Sequence, residues 1–207
     1  MLSVPADTTQ TMTEIVLFHS VLGLRPGVLE TATQWRQAGH VVHVPDLYGG
    51  AVFDDYDDAF AWFDGYGGQP ELLRRAGEAV AGLPSRVVYA GYSNGVLPAI
   101  QLAASRPGAL GALLFHGSVP LRAVGAELWP SSVPAQVHEG EHDPFRENDL
   151  NDEFAETVSA AGAAYQYFSY PGVTTHLFAD SSLPREHHRE AAGTMNGRAQ
   201  RFLAACG

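Results

Sequence analysis

Six short apolar runs alternate with helical segments along this chain, and this alternation constrains the fold more than any other feature. The runs are mostly continuous in their hydrophobicity, which is typical of parallel strands buried on both faces. Strands are predicted over Ile15–Phe18, Val41–Val44, Val87–Ala90, Ala112–Phe115, Val133–Val137 and Tyr165–Phe168. The alternation predicts a single α/β domain over 1–207, in which helices cover both faces of a mostly parallel sheet of about six to seven strands.

The helical segments carry ordinary start and stop signals. One segment begins at Pro26 and runs to Ala38, and Gly39 follows it directly. The stretch 49–70 fits the alternation less well, because its aromatic residues recur at helical spacing beside many acidic ones. Two interpretations stay open for 49–70. It forms either a short helix packed on the core with a solvated acidic face, or a small lid whose aromatic side chains line a substrate pocket.

Composition narrows the range of partners. The 207 residues are 45% hydrophobic, enough for one sizeable core, and the formal net charge is -11. Such an acidic surface repels phosphate backbones and anionic lipids, so we expect a small-molecule substrate rather than nucleic acid or a membrane. Residues 1–14 lack the features of a secretory signal, and the single cysteine, Cys206, precludes an internal disulfide. We therefore expect a cytoplasmic protein, and a monomer is compatible with this composition.

The segment Gly91-Tyr92-Ser93-Asn94-Gly95 lies between a predicted strand and a predicted helix. G-x-S-x-G in this context is typical of a nucleophile elbow, a turn so sharp that its serine adopts a strained backbone. Side chains at Gly91 or Gly95 would clash across the turn. The helix that follows places its N-terminus beside the serine, where a developing oxyanion would be stabilised. Ser93 is thus the predicted nucleophile.

A serine nucleophile needs an imidazole base and an orienting acid, which follow it along the chain in the order acid, then histidine. Asp143 and His176 both come after predicted strands, where a parallel sheet places its ligand site. We predict Asp143 as the acid and His176 as the base. Glu139 and Glu141 are alternative acids from the same loop.

The segment 138–142, His-Glu-Gly-Glu-His, matches the H-E-x-x-H motif of zinc proteases. That motif binds zinc only on a helix, where residues four apart share a face. Here it follows a strand, contains Gly140 and is closely followed by Pro144, so a helix is not expected. We predict no metal site.

The residues also resemble the dienelactone hydrolase family of α/β-hydrolases. The resemblance rests on the elbow and on four further segments, namely Pro45-Asp46-Leu47-Tyr48, the acid loop Gly140–Phe145, His176-Leu177-Phe178 and the closing pattern from Arg198 to Leu203. It implies an oxyanion hole formed by the backbone amides of Val21 and Asn94. Two positions depart from the best-known members, which carry cysteine where this chain has Ser93 and glutamate where it has Ser20.

These features together predict a serine hydrolase that cleaves a small ester or lactone through an acyl-enzyme and needs no cofactor. The same residues would also serve a cyclase, an isomerase or an acyl transferase, and a binding module could use the same pocket as a receptor. The residues predicted to line the substrate pocket are Leu22, Tyr48, Tyr92, His116, Phe145 and Leu177.

Overall fold

The computed structural model describes residues 12–207. The prediction that residues 1–14 contain no secretory signal falls mostly outside these residues. Within the described part of the chain, no helix is long and apolar enough to cross a bilayer.

The fold is built on a six-stranded, fully parallel sheet with the strand order β2-β1-β3-β4-β5-β6. Its strands are β1 (Glu14–Phe18), β2 (Val41–His43), β3 (Val88–Tyr92), β4 (Gly111–Phe115), β5 (Ala135–Gly140) and β6 (Tyr165–Tyr170). From β1 the chain first adds β2 on one side and then returns to add β3 to β6 on the other side. The order of the strands therefore changes direction between β1 and β3, and the loops after these two strands lie side by side at the carboxyl edge of the sheet. A ligand site is expected at such a point in an open α/β sheet.

Six helices cover the sheet, as predicted for a single α/β domain. They are α1 (Pro26–Gln37), α2 (Tyr56–Gly65), α3 (Gly68–Val80), α4 (Val96–Ser105), α5 (Asn148–Ala160) and α6 (Arg189–Cys206). One buried cluster joins α1 and α6 to one face through residues such as Trp35 and Met195. A second cluster joins α3, α4 and α5 to the other face through Leu72, Ile100 and Phe154.

All six predicted strands are present, with boundaries that differ by up to three residues. The largest difference concerns β5, which was predicted over Val133–Val137 and begins at Ala135, directly after Pro134. Proline lacks the N–H that a central strand must donate, so pairing starts only beyond it. The strand then continues through Glu139 and Gly140, because both pair with β6.

The segment 49–70 contains α2 and the beginning of α3. Asp55 caps α2 by accepting hydrogen bonds from the backbone N–H groups of Asp57 and Asp58, which explains the local run of aspartates. Phe63 on this helix packs against the core, whereas Phe60 is 41% exposed. The helix therefore has a core-facing side, as one interpretation requires, and it also places aromatic side chains at the carboxyl edge of the sheet.

Candidate active site

Ser93 lies in a tight turn between β3 and α4, and its φ of 50° is in the left-handed region. Glycines on both sides make this turn possible. A Cβ on Gly91 would lie 2.1 Å from the carbonyl oxygen of Gly95, and a Cβ on Gly95 would lie 2.6 Å from that of His19. Both contacts are with main-chain atoms, which cannot move aside as a side chain can. The strained turn at Ser93 therefore requires glycine at positions 91 and 95.

Gly95→Ala should lower the free energy of unfolding by about 2 kcal/mol or more, because its methyl group would overlap the carbonyl groups of Phe18, the last residue of β1, and of His19. Gly77→Ala is the matched control, since a Cβ there meets nothing within 4 Å and Gly77 lies inside α3. That change should raise stability by about 0.5–1 kcal/mol. Urea unfolding of the two variants measures both effects. Equal stability of Gly95→Ala and the natural protein would contradict the packing described for the turn.

The structure brings the three predicted residues, Ser93, His176 and Asp143, into one hydrogen-bonded line. His176 Nε2 is 2.6 Å from Ser93 Oγ, and His176 Nδ1 is 2.8 Å and 2.9 Å from the two carboxylate oxygens of Asp143. A carboxylate only accepts, so Nδ1 carries the proton and Nε2 is free to accept from the serine hydroxyl. The Asp143 side chain is fully buried, and its Oδ1 also accepts the N–H of Phe145 at 2.8 Å.

The two alternative acids lie elsewhere. Glu141 is on the surface, where its carboxylate accepts the N–H of Gly172. Glu139 is buried in β5 and bonds Asn151 and Tyr167 rather than His176. Burial raises the pKa of the Glu139 carboxyl, against the lowering effect of these donors. The carboxyl group in contact with the imidazole is thus that of Asp143.

Glu186, which was not singled out from the sequence, holds the loop of His176 in place. Its carboxylate accepts the N–H of Leu177 at 2.8 Å and the hydroxyl of Tyr56 at 2.9 Å, and its carbonyl accepts the hydroxyl of Thr175. Burial, followed by the negative charge of Glu186, raises the pKa of the Tyr56 phenol. The hydrogen bond between Tyr56 and Glu186 connects α2 to the histidine loop. The two residues are 130 positions apart in the sequence, so no local sequence pattern predicts their contact.

The two amides predicted to bind an oxyanion lie on the adjacent loops after β1 and β3. The backbone N–H of Val21 donates to no acceptor among residues 12–207, while the neighbouring N–H of Leu22 is bonded to the Ser20 hydroxyl at 3.2 Å. Asn94 lies in the turn that leads into α4, where the partial positive charge of the helix N-terminus is concentrated. The side chain of Asn94 contacts the Tyr48 hydroxyl at 3.4 Å.

Ser93 and His176 face a cleft of about 190 Å³. One wall is aromatic and apolar, and the other carries polar side chains from β5, α5 and the loops after β4 and β5. The lining residues are Tyr56, Phe60, Ser93, Asn94, Val96, Leu97, His116, Gly117, Ser118, Val119, Glu139, Phe145, Glu147, Leu150, Asn151 and His176. Among these described residues the charged side chains, histidine aside, are two glutamates.

Two of the six residues predicted to line the pocket, His116 and Phe145, do so. The other four are not among the residues that line this cleft. Leu22, Tyr92 and Leu177 are buried in the core cluster between the sheet and helices α1 and α6. Tyr48 is buried beneath α2, where its ring packs against Trp62 at a centroid distance of 4.7 Å.

The H-E-x-x-H segment is not helical, as predicted. His138 lies in β5, and both of its ring nitrogens are hydrogen-bonded, one to the Tyr170 hydroxyl and one to the side chain of Gln136. His142 projects from the loop beyond the strand with 67% of its side chain exposed. No group of three or more potential metal-ligating side chains occurs between residues 12 and 207.

Cys206 lies at the end of α6 close to Gly111, where β4 begins, and so at the opposite edge of the sheet from Ser93. Burial raises the pKa of its thiol to about 11. Complete alkylation with iodoacetamide, followed by intact mass, should therefore leave kcat/KM for an ester within a few fold. The Cys206→Ser variant is the control for side effects of the reagent. Loss of activity in proportion to Cys206 modification would contradict this placement.

Comparisons with known proteins identify the family and agree with the fold. The family model described as "Dienelactone hydrolase family" matches residues 2–207. A dienelactone hydrolase-like promiscuous phosphotriesterase from metagenomic libraries superposes with a TM-score of 0.77 at 18% identity, over 96% of this chain and 88% of that one. A thermophilic esterase from Thermogutta terrifontis superposes with a TM-score of 0.59 at 17% identity, over 98% and 87%. A search of curated protein sequences gives no match.

Proposed function

This chain belongs to the dienelactone hydrolase family and hydrolyses ester bonds, and we propose that it does so through an acyl-enzyme formed on Ser93. The observation that carries this proposal is the line of hydrogen bonds from Ser93 through His176 to Asp143 at the floor of a cleft. A binding module that uses the cleft as a receptor needs none of these three groups.

In the first half of the reaction, Ser93 Oγ attacks the carbonyl carbon of the ester while its proton passes to His176 Nε2. Asp143 holds the imidazole in the required tautomer and stabilises the cation that forms. The carbonyl oxygen becomes an oxyanion, for which the N–H groups of Val21 and Asn94 are the proposed donors. The tetrahedral intermediate then collapses as His176 returns the proton to the departing alcohol, which leaves the acyl group on Ser93.

In the second half, His176 accepts a proton from water as the water oxygen attacks the acyl carbon, and it returns this proton to Ser93 Oγ when the bond to the acyl group breaks and the carboxylic acid leaves. Ser93 and Asn94 are both partly exposed to the cleft, so water has access to the acyl group. This access favours hydrolysis over transfer to a second substrate, for which water must be excluded.

We further propose that the substrate is a small uncharged ester or lactone. The cleft is too small for a long acyl chain, and its wall carries Glu139 and Glu147 without a lysine or arginine among the described lining residues. Arg146, which does not line the cleft, lies 3.4 Å from the Glu139 carboxylate and also bonds Asn148. Because this cation is already paired, a substrate carboxylate would meet the negative charge of Glu147 without a free cation among the lining residues. A neutral acyl group meets the aromatic side chains of Tyr56, Phe60 and Phe145 on the opposite side.

The test compares p-nitrophenyl butyrate with p-nitrophenyl hydrogen succinate, which has a four-carbon acyl chain ending in a carboxylate. We expect kcat/KM to be at least about tenfold higher for the uncharged ester, a difference that decreases with added salt. Glu147→Gln removes one of the two charges at the exposed mouth of the cleft and should reduce the discrimination several fold. Preference for the succinate ester would contradict the proposed substrate class, and hydrolysis of neither ester would contradict the proposed function.

A further inference from the structure

His116 follows β4 directly and lines the cleft, yet the proposed reaction assigns it no role. His116 is 5% exposed, and both of its ring nitrogens are buried without a hydrogen-bond partner among the described residues. Buried polar groups are almost always paired in folded proteins, because leaving one unpaired is unfavourable. An imidazole with two unpaired nitrogens in a substrate cleft therefore needs an explanation.

The backbone of His116 is also unusual. Its φ of 69° lies in the left-handed region. Among the described residues, His116 and Ser93 are the only two non-glycine residues with a positive φ. The N–H of His116 is bonded to the carbonyl of His138 at 2.6 Å, so the neighbouring strand fixes this conformation. Side chains held in such conformations by their surroundings are concentrated at functional sites.

The ring of His116 is held among other rings beside the proposed base. Its centroid lies 4.9 Å from that of Phe178, 5.3 Å from that of Tyr92 and 5.6 Å from that of His176. Burial lowers the pKa of the His116 imidazole well below its ordinary value, and the nearby His176 and His138 lower it further. A contact between the ring and the main chain of His176 raises this pKa, but its effect is smaller than that of burial. The ring is thus neutral, with one donor and one acceptor nitrogen.

The rest of the polar wall is already satisfied by its own contacts. The Ser118 hydroxyl donates to the Asn151 side chain at 2.7 Å, and Asn151 donates to Glu139 at 3.0 Å. Glu139 also accepts the Tyr167 hydroxyl at 2.7 Å. Among the buried polar side chains of this wall, it is therefore the His116 imidazole that retains unused hydrogen-bonding capacity toward a ligand.

We propose that His116 is a specificity-determining residue that hydrogen-bonds an uncharged hydroxyl group of the substrate. A hydroxyl both donates and accepts, as a neutral imidazole does, so either tautomer is matched. A carboxylate would find only the single N–H of a neutral ring, next to Glu139. This inference rests on the proposed function and narrows its substrate class from small uncharged esters to those that carry a hydroxyl group.

The test uses two matched pairs of esters that differ by one hydroxyl. In the first pair, p-nitrophenyl propionate and each enantiomer of p-nitrophenyl lactate, the hydroxyl is on the acyl group. In the second, ethyl propionate and 2-hydroxyethyl propionate, it is on the alcohol. For each protein the quantity measured is the ratio of kcat/KM with the hydroxyl to kcat/KM without it. Comparing this ratio between variants cancels the intrinsic reactivity of the esters.

Three variants separate hydrogen bonding from structure. His116→Phe keeps an aromatic ring without polar atoms, and His116→Gly removes the ring at a position whose left-handed backbone glycine adopts freely. His116→Asn keeps a donor and an acceptor, and asparagine also tolerates this backbone. Thermal unfolding identifies any variant that does not fold, and His116→Gly then replaces His116→Phe.

For at least one pair, we expect the ratio to fall about tenfold in His116→Phe and in His116→Gly, and to stay within about threefold of the natural protein in His116→Asn. A purely structural role would lower kcat/KM for both members of a pair equally and leave the ratio unchanged. Ratios within about threefold of the natural protein for both pairs in both removal variants would overturn the inference. That result, with ester hydrolysis that still depends on Ser93, leaves the proposed function intact; hydrolysis that survives Ser93→Ala overturns the proposed function instead.

Discussion

Ser93→Ala is expected to lower kcat/KM for p-nitrophenyl butyrate by about 10³-fold or more. The substitution removes the oxygen that lies 2.6 Å from His176 Nε2, so no acyl-enzyme can form. The remaining rate would come from binding of the ester and from stabilisation of the oxyanion by the backbone amides. Initial rates at several ester concentrations measure the effect, together with thermal unfolding to establish that the fold is retained.

Ser105→Ala is the matched control for this change. Ser105 is the last residue of α4, the helix that follows Ser93, and its exposed hydroxyl donates only to the carbonyl of Gln101. Its removal should leave kcat/KM within a few fold. Activity of Ser93→Ala within a few fold of the natural protein would show that Ser93 is not the nucleophile.

Asp143→Asn should have an effect nearly as large, a loss of about 10³- to 10⁴-fold in kcat at neutral pH. The carboxylate that accepts from His176 Nδ1 becomes an amide that can donate to it instead. The imidazole then tends to adopt the tautomer with its proton on Nε2, which cannot accept the proton of Ser93. The amide also lacks the charge that stabilises the histidine cation during the reaction.

The control for the acid is Glu141→Gln, which changes a carboxylate two residues away on the surface. We expect this variant to keep its activity within a few fold. Similar losses in the two variants would point to a general effect of charge in the loop after β5. An active Asp143→Asn would contradict the assignment of Asp143 as the residue that orients the base.

The positions of Ser93, Asp143 and His176 were predictable because each follows a strand that the sequence marks clearly. The carboxyl ends of parallel strands meet at one edge of the sheet, so the three loops share that edge, and the loop after β6 reaches across two strands to bring His176 to Ser93. The elbow carries further information, since the glycines at 91 and 95 are explained by main-chain contacts at 2.1 Å and 2.6 Å.

The pocket was predicted less well, for a reason that Tyr92 and Leu177 illustrate. Each is next to a proposed catalytic residue in sequence, and this adjacency suggested a place in the pocket. Tyr92 is the last residue of β3 and Ser93 begins the turn after it, while His176 and Leu177 both lie in a turn. The chain changes direction at these positions, so adjacency in sequence does not place two side chains on the same side. Tyr92 and Leu177 are both buried.

Other parts of the cleft depend on contacts that sequence patterns do not encode. Leu150 and Asn151 reach the cleft because α5 packs beside β5, and Glu186 reaches His176's loop from a segment just before α6. Tyr56 and Phe60 line the cleft from α2, as the lid interpretation of 49–70 requires, while Phe63 on the same helix packs on the core. Whether this helix moves as a lid stays a prediction.

The most direct test of the acyl-enzyme proposal is covalent labelling with a fluorophosphonate, which reacts with activated serine hydroxyls, followed by intact mass measurement and peptide mapping. We predict one adduct per chain on the peptide that contains Ser93, with loss of esterase activity in proportion to labelling and with no adduct in Ser93→Ala. Labelling at another residue in proportion to the loss of activity, or full esterase activity in a protein labelled at Ser93, would contradict the account.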